Sequence, residues 1–203
     1  RRGKWNKILT LKNSPSLNKY NFLFDNDKLT LTQNNNKILT INIDETSEYE
    51  LLSNKILELE SSLQKPIYLM KNKDIPFFDT SISNKTVLTH SISFINNKSI
   101  EDFKHKTNQT IETQRFRGNI YADGIEAWEE RNWIGKIIKI NNISFKVEKN
   151  IPRCVAINLK PNTDDNSLNL LQSLKKTYNH FDMGVYLTAL DDGPINIGDN
   201  ISL

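Results

Sequence analysis

Between Asn21 and Ile43 the chain reads NFLFDNDKLTLTQNNNKILTINI, in which apolar and polar residues alternate in runs only a few residues long. A period of two puts every second side chain on one face of an extended strand. The runs Asn21 to Phe24, Leu29 to Thr32 and Ile38 to Ile43 are therefore expected to be strands. The separators Asp25-Asn26-Asp27 and Asn34-Asn35-Asn36 tolerate turn dihedrals, so the stretch predicts a β-meander. The pattern returns from Gln114 and is clearest in GKIIKINNISFKVEKNIPRC. There Ile138 and Ile140 alternate with lysines, Asn141-Asn142 supply a turn, and Ile143, Phe145 and Val147 alternate back. MGVYLTALDDGPINIGDNISL is expected to add two strands joined at Asp192-Gly193, with a second turn at Gly198-Asp199. A chain dominated by such runs predicts a β-dominated α+β fold of barrel type.

Helical spacing occurs in three places. In SEYELLSNKILELESSLQKP, Leu51, Leu52, Ile56, Leu59 and Leu63 define an apolar stripe, and Pro66 follows its end. SIEDFKHKTN predicts a second helix, with Ser99 as N-cap and Glu101 and Asp102 in its positive first turn. DNSLNLLQSLKKTYN predicts a third. There are no repeats and no Pro/Gly/Ser-rich linker. A change of character over Asp79 to Lys85 suggests a smaller β-rich domain over 1–82 and a second domain over 83–203.

With 203 residues, 37% of them hydrophobic, the chain has material for a genuine core. Its net charge of +3 is spread along the sequence. Without a clustered basic face, nucleic acid is not an expected partner. No apolar run reaches the roughly 18 residues of a membrane span, and no secretory signal is visible. One cysteine excludes an intramolecular disulfide and suits a reducing cytoplasm. The first residues, RRGKWNKILTL, lack a methionine, so the first domain reads as truncated at its start.

The single cysteine lies in NIPRCVAIN, directly after a proline and an arginine. Two readings stand. Most free cysteines are small buried hydrophobes. A thiolate, however, is the reactive and metal-binding form, and neighbouring cations favour it. Arg153 is adjacent, and RFRGN is expected to place Arg115 and Arg117 on one face of a strand. Guanidinium groups are forks suited to phosphate. A soft sulfur donor beside them suggests a soft metal on a phosphorylated organic cofactor.

RFRGNIYADGIEAWEERNWIGKIIKINNISFKVEKNIPRCVAINLKPNT, followed by FDMGVY and GPINIGDNISL, resembles the MOSC domain, found at the C-terminus of molybdenum cofactor sulfurases. It is similar also to bacterial stand-alone MOSC proteins and the amidoxime reducing component. The resemblance rests on Arg115 to Asn119, Trp128 to Gly135, Arg153-Cys154, Gly184 to Tyr186 and Gly198-Asp199, in that order. Residues before Lys85 resemble, more weakly, the β-barrel domain that precedes MOSC, through ILTLKNSPSL.

The resemblance implies a MOSC-type β-barrel with a few peripheral helices and a pyranopterin molybdenum cofactor. Cys154 would be the protein ligand to molybdenum, and Arg117, Asn119 and Arg153 would contact the cofactor. Asn96 stands where the family often has a hydroxyl residue before a helix, and Tyr186 is either a pocket residue or a core aromatic. The chain departs from the family at Lys160-Pro161, in place of an Asp-Pro pair, and at Gly118, in place of a frequent proline, which is expected to loosen that turn. Upstream elements that hold the cofactor phosphate in relatives are missing, so a polypeptide starting at Arg1 is expected to have an incomplete pocket.

Three functions follow. The first is an oxidoreductase for N-hydroxylated and related N–O compounds, fed by a separate reductase carrying an iron–sulfur, haem or flavin group. The second is a sulfur carrier that accepts persulfide sulfur on Cys154 from a pyridoxal-phosphate-dependent desulfurase. The third is a non-catalytic binding barrel. Elsewhere, His90, His105 and His180 lack metal-ligand spacing. His180 and Asp182 are read as a satisfied loop pair or the mouth of a site, and Trp128, Glu129 and Glu130 as a solvated turn or an acid pair.

Overall fold

The computed structural model describes residues 8–63, 66–71 and 90–203. The chain forms two compact units, one comprising Arg1–Ile75 with Asn158–Leu168 and the other Pro76–Ile157 with Asn169–Leu203. The boundary expected at Asp79 to Lys85 lies outside the described residues.

In the first unit, β1 (Asn21–Asp25), β2 (Lys28–Gln33) and β3 (Asn36–Asn42) form an antiparallel meander in sequence order. Asn34 and Asn35 take φ of 50° and 64° in the β2–β3 turn. Two successive positive values match the right-handed twist of a tight hairpin, and asparagine tolerates them. Leu31 and Ile41, on one face by period two, are buried with Tyr20, Ile43 and Leu52.

Helix α1 covers Tyr49–Leu59, ending before Leu63 and Pro66. At its end Glu60 leaves helical dihedrals, and its carboxylate accepts from Tyr20 Oη at 2.8 Å and pairs with Lys19 Nζ at 2.6 Å. Leu51 does not join the apolar stripe: it is 56% exposed, whereas Leu52 is 2%. Successive helical residues lie about 100° apart, and one face of a short helix cannot bury both. Asn18 Nδ2 secures the Asn158–Leu168 segment by donating to the carbonyls of Lys160 (2.7 Å) and Thr163 (2.6 Å).

The second unit is built on a mixed sheet in the order β5-β4-β8-β7-β6-β9, an open half-barrel with few helices. Its strands are β4 (Ile92–Asn96), β5 (Ile120–Ala122), β6 (Ile137–Ile140), β7 (Ile143–Pro152), β8 (Asp182–Ala189) and β9 (Ile201–Ser202). Helix α2 (Asn97–Thr107) lies in the connection between the parallel pair β4 and β5. Helix α3 (Leu170–Tyr178) precedes β8. The expected β6–β7 hairpin forms, with Ile138 paired to Phe145 and Ile140 to Ile143. Ile138, Ile140, Ile143, Phe145 and Val147 all enter the core with Phe94, Trp133, Val185 and Leu187. This is the β-dominated α+β fold that the alternation predicts.

Four local expectations are corrected. Helix α2 is capped by Asn96, whose side chain accepts from the Lys98 amide at 3.0 Å. Ser99 lies inside the helix, its hydroxyl directed to Glu130. Helix α3 starts at Leu170 under an Asn169 cap, five residues later than the run from Asp165 suggests. RFRGN is not a strand: Thr113–Phe116 form a 3-10 turn, and Arg117 follows with φ 46°. After β8 no strand forms before β9, and Ile197 is fully exposed, because no neighbouring strand pairs with the Pro194 to Ile197 run among the described residues.

Candidate functional site

Strand β7 ends at Pro152, which has no amide to donate, and the chain turns out of the sheet. The Arg153 amide donates to the Phe181 carbonyl at 2.9 Å, and Cys154 opens a 3-10 turn over Val155–Asn158. The thiol-bearing residue is half-buried and lies outside the hydrophobic core of the sheet.

The Arg153 side chain turns back across this corner. Nε donates to the Met183 carbonyl at 2.8 Å, Nη2 donates to the same oxygen, and Nη1 donates to the Phe116 carbonyl at 2.9 Å. The guanidinium also lies 5.9 Å from the centroid of the Phe116 ring. Three of its five N–H groups are thus spent on two neutral oxygens. Among the described residues it has no carboxylate within ion-pair distance, since the nearby Asp182 pairs with Arg131 at 3.3 Å. Burial pushes its pKa down to about 10, and the nearby Tyr186, Tyr121, Cys154 and Asp182 oppose that shift.

Arg117 approaches from the other side. Its positive φ is unusual for a bulky residue and is held by its own side chain. Nη1 donates to the carbonyls of Arg115 at 2.9 Å and Ala156 at 2.7 Å, tying the Thr113–Phe116 turn to the turn after Cys154. Burial lowers its pKa, and the nearby Cys154 and Tyr121 oppose that shift. Arg115 does not share this face. It is 2% exposed, and its Nε donates to Glu112 at 2.5 Å.

Gly118 is not loose. Its amide donates to Tyr121 Oη at 2.8 Å, and an added Cβ would lie 2.5 Å from Ile95 Cγ1. Proline there would lose the donor and meet Ile95. Asn119 is exposed, and its Oδ1 accepts from the amide and hydroxyl of Ser93, at 2.9 and 2.7 Å. Tyr186, on β8 opposite Ser93 and Lys149, is half-buried rather than part of the sheet core. Burial raises its pKa, with Arg153 pulling the other way and Cys154 adding to the rise.

The structure therefore gathers Cys154, Arg117, Arg153 and Tyr186 around one corner, with Tyr121 as a member that sequence reasoning missed. Its place two residues after the RFRGN run was the available signal. The carbonyls of Phe116, Ala156 and Met183, which hold the arginines, have no sequence signature. Tyr121 also lines an open polar cleft of about 360 Å³ with Asn97, Glu101, Gln114 and Asp123.

Asn96 belongs to a different cluster. It is fully enclosed, and besides capping α2 its Nδ2 donates to the Glu126 carbonyl at 2.8 Å and to Glu130 Oε2 at 2.9 Å. Ser99 Oγ donates to Glu130 Oε1 at 2.9 Å. Glu130 is thus 0% exposed, not part of a solvated turn. Trp128 Nε1 donates to Asp102 at 2.7 Å, and its ring packs against Tyr178 and His180. His180 Nδ1 accepts from the Asp182 amide at 3.1 Å. No group of three or more His, Cys, Asp or Glu residues suited to a metal occurs among the described residues. No helix among them is long and apolar enough to cross a membrane.

A half-buried thiol flanked by two anchored guanidiniums can hold a soft metal and an anion together. Comparison with curated proteins gives no match. Among solved structures, YiiM from Geobacillus stearothermophilus matches at 15% identity with a TM-score of 0.43, covering 54% of this chain and 52% of that one. The chain thus spans about half of that relative's length. The MOSC domain model matches residues 62–202, and MOSC domains are associated in general with molybdenum cofactor binding. That match takes in well over half of the chain and every residue of the Cys154 corner, and the chain belongs to the MOSC domain family.

Proposed function

We propose that this chain binds a pyranopterin molybdenum cofactor through Cys154 and acts as an oxidoreductase on N-hydroxylated and related N–O compounds. The supporting observation is Arg153, a partly buried cation satisfied only by neutral carbonyls and placed next to the chain's single thiol. A buried charge without a counter-charge is costly. An anionic cofactor would supply that counter-charge, and two N–H groups of the fork remain for it. The thiolate is a donor suited to a soft metal. These residues fit the group.

When bound, the cofactor supplies two-electron chemistry at oxygen. Cys154 would ligate the metal, and Arg153 and Arg117 would neutralise and orient the anionic part. Asn119, exposed and held by Ser93 through its Oδ1, would stand at the rim. Tyr186 is half-buried with its pKa raised by burial, and its neutral hydroxyl would serve as a hydrogen-bond donor. In this reading Asn96 supports the site indirectly, by fixing the start of α2. Electrons would enter from a separate reductase protein, in the cytoplasm.

Metal analysis of the purified protein and of Cys154→Ala tests this. Stoichiometric molybdenum in the wild type, lost in the variant, is the expected result. Cyanide-labile sulfur on Cys154 without molybdenum would overturn it in favour of sulfur transfer from a pyridoxal-phosphate-dependent desulfurase. Neither metal nor labile sulfur would leave a binding barrel.

A further inference from the structure

We propose that His180 is a positioning residue that sets the stance of Arg153 through the backbone of Phe181, Asp182 and Met183, and that protonation of its ring loosens that stance. Arg153 hangs on both sides of this short segment. Its amide donates to the Phe181 carbonyl at 2.9 Å, and its Nε donates to the Met183 carbonyl at 2.8 Å. The amide between them, that of Asp182, donates to His180 Nδ1 at 3.1 Å.

A peptide N–H can only donate, so Nδ1 must carry the lone pair and the ring proton must sit on Nε2. Protonation puts hydrogen on both nitrogens. The acceptor then becomes a donor facing a donor, and the anchor is lost. The two carbonyls that hold Arg153 flank the released amide, so their displacement reaches Arg153 and, one residue on, Cys154.

The surroundings favour the neutral ring. Trp128 packs edge-on at 5.6 Å and Tyr178 stacks at 5.7 Å, both uncharged. Burial lowers the His180 pKa, Arg131 from the Glu129–Trp133 turn and Lys175 from α3 push the same way, and Asp182 on β8 opposes them. Asp182 is itself engaged by Arg131 at 3.3 Å. The coupling therefore switches below the ordinary imidazole range of about 6.5. Its weight for function rests on the role proposed for Arg153 and Cys154, whereas the coupling itself needs only the protein.

Nitrogen-15 NMR of the cofactor-free protein, from about pH 7.5 down to about pH 5, tests it. At the upper end His180 Nδ1 should show the unprotonated shift. As the ring titrates, the Asp182 amide and Arg153 Nε–H signals should move with the same midpoint. In His180→Asn the amide oxygen accepts from Asp182 without titrating, and that movement should vanish. A proton on Nδ1 at neutral pH, an Arg153 Nε–H unmoved across the titration, or the same movement in His180→Asn would each overturn the proposal. The wild-type titration decides even where the variant does not fold. Metal content is a separate readout, so failure of this coupling is distinguishable from failure of the molybdenum reading.

Discussion

Arg153 Nε meets the Met183 carbonyl at 2.8 Å, one residue before Gly184, whose φ of +79° falls where the β7–β8 register shifts between Asn150 and Pro152. An extra residue taken up in one strand re-aims its neighbours. Here the irregular stretch of β8 carries the oxygen that fixes the arginine beside Cys154. The site is thus anchored on strand β8, although Arg153, Cys154 and Arg117 all lie just outside regular strands.

The clamp is geometric, which distinguishes arginine from any other cation. Arg153→Lys keeps the charge, but a single ammonium cannot span Met183 and Phe116 as the planar fork does. One buried carbonyl would lose its donor, at a cost of about 1–3 kcal/mol. The expected outcome is a lower urea midpoint at an unchanged slope. A midpoint equal to that of the wild type would show that charge alone suffices.

Gly184 allows a paired comparison. A Cβ there would lie 2.6 Å from Ile95 Cδ1 and closer still to the Phe94 carbonyl, both on β4. Gly124 has nearly the same φ, +77°, with nothing within 4 Å. Gly124→Ala should therefore cost only the left-handed backbone term, about 1 kcal/mol. Gly184→Ala adds a collision with backbone that cannot swing away, and should cost at least about 3 kcal/mol or prevent folding. Thermal or urea unfolding of the two variants measures the difference, and equal losses would mean that β4 yields.

Much of the fold was legible because strand alternation and asparagine turns are local codes. Ile138, Ile140, Ile143, Phe145 and Val147 announce their burial by spacing alone, and Asn34-Asn35 announce their turn. Cys154 and its arginine neighbours were legible as a constellation, by residue type and by resemblance. What failed depended on partners distant in sequence. Asn96 and Ser99 are equally good caps on paper, and the choice falls to Asn96 because Glu130, some thirty positions away, takes the Ser99 hydroxyl. Arg115 and Arg117 read as strand neighbours, yet Glu112 draws one inward while the Ala156 carbonyl holds the other across the corner. Adjacency showed which groups are present, and long-range acceptors decided where they point.

Glu130 yields a prediction with a definite pH direction. It is fully buried, and burial raises its pKa above the ordinary 4.5, although donors from Asn96, its own backbone and Ser99, and the charge of Arg131, oppose the rise. For an acid whose folded pKa is raised, the folded state holds its proton where the unfolded state has released it. Its stabilising contribution is therefore largest at low pH and is lost as pH rises from 4.5 through the folded value. Glu130→Gln removes the titration while keeping the shape and one carbonyl acceptor for Asn96 or Ser99. Relative to the variant, the wild type should lose stability as pH increases from about 4 to about 7, by a margin of order 1 kcal/mol per unit of pKa difference. Urea unfolding of both proteins across that range measures the slope. A difference that stays flat would mean that the Asn96 and Ser99 hydrogen bonds already offset the burial of the charge, and that this carboxylate is ionised throughout.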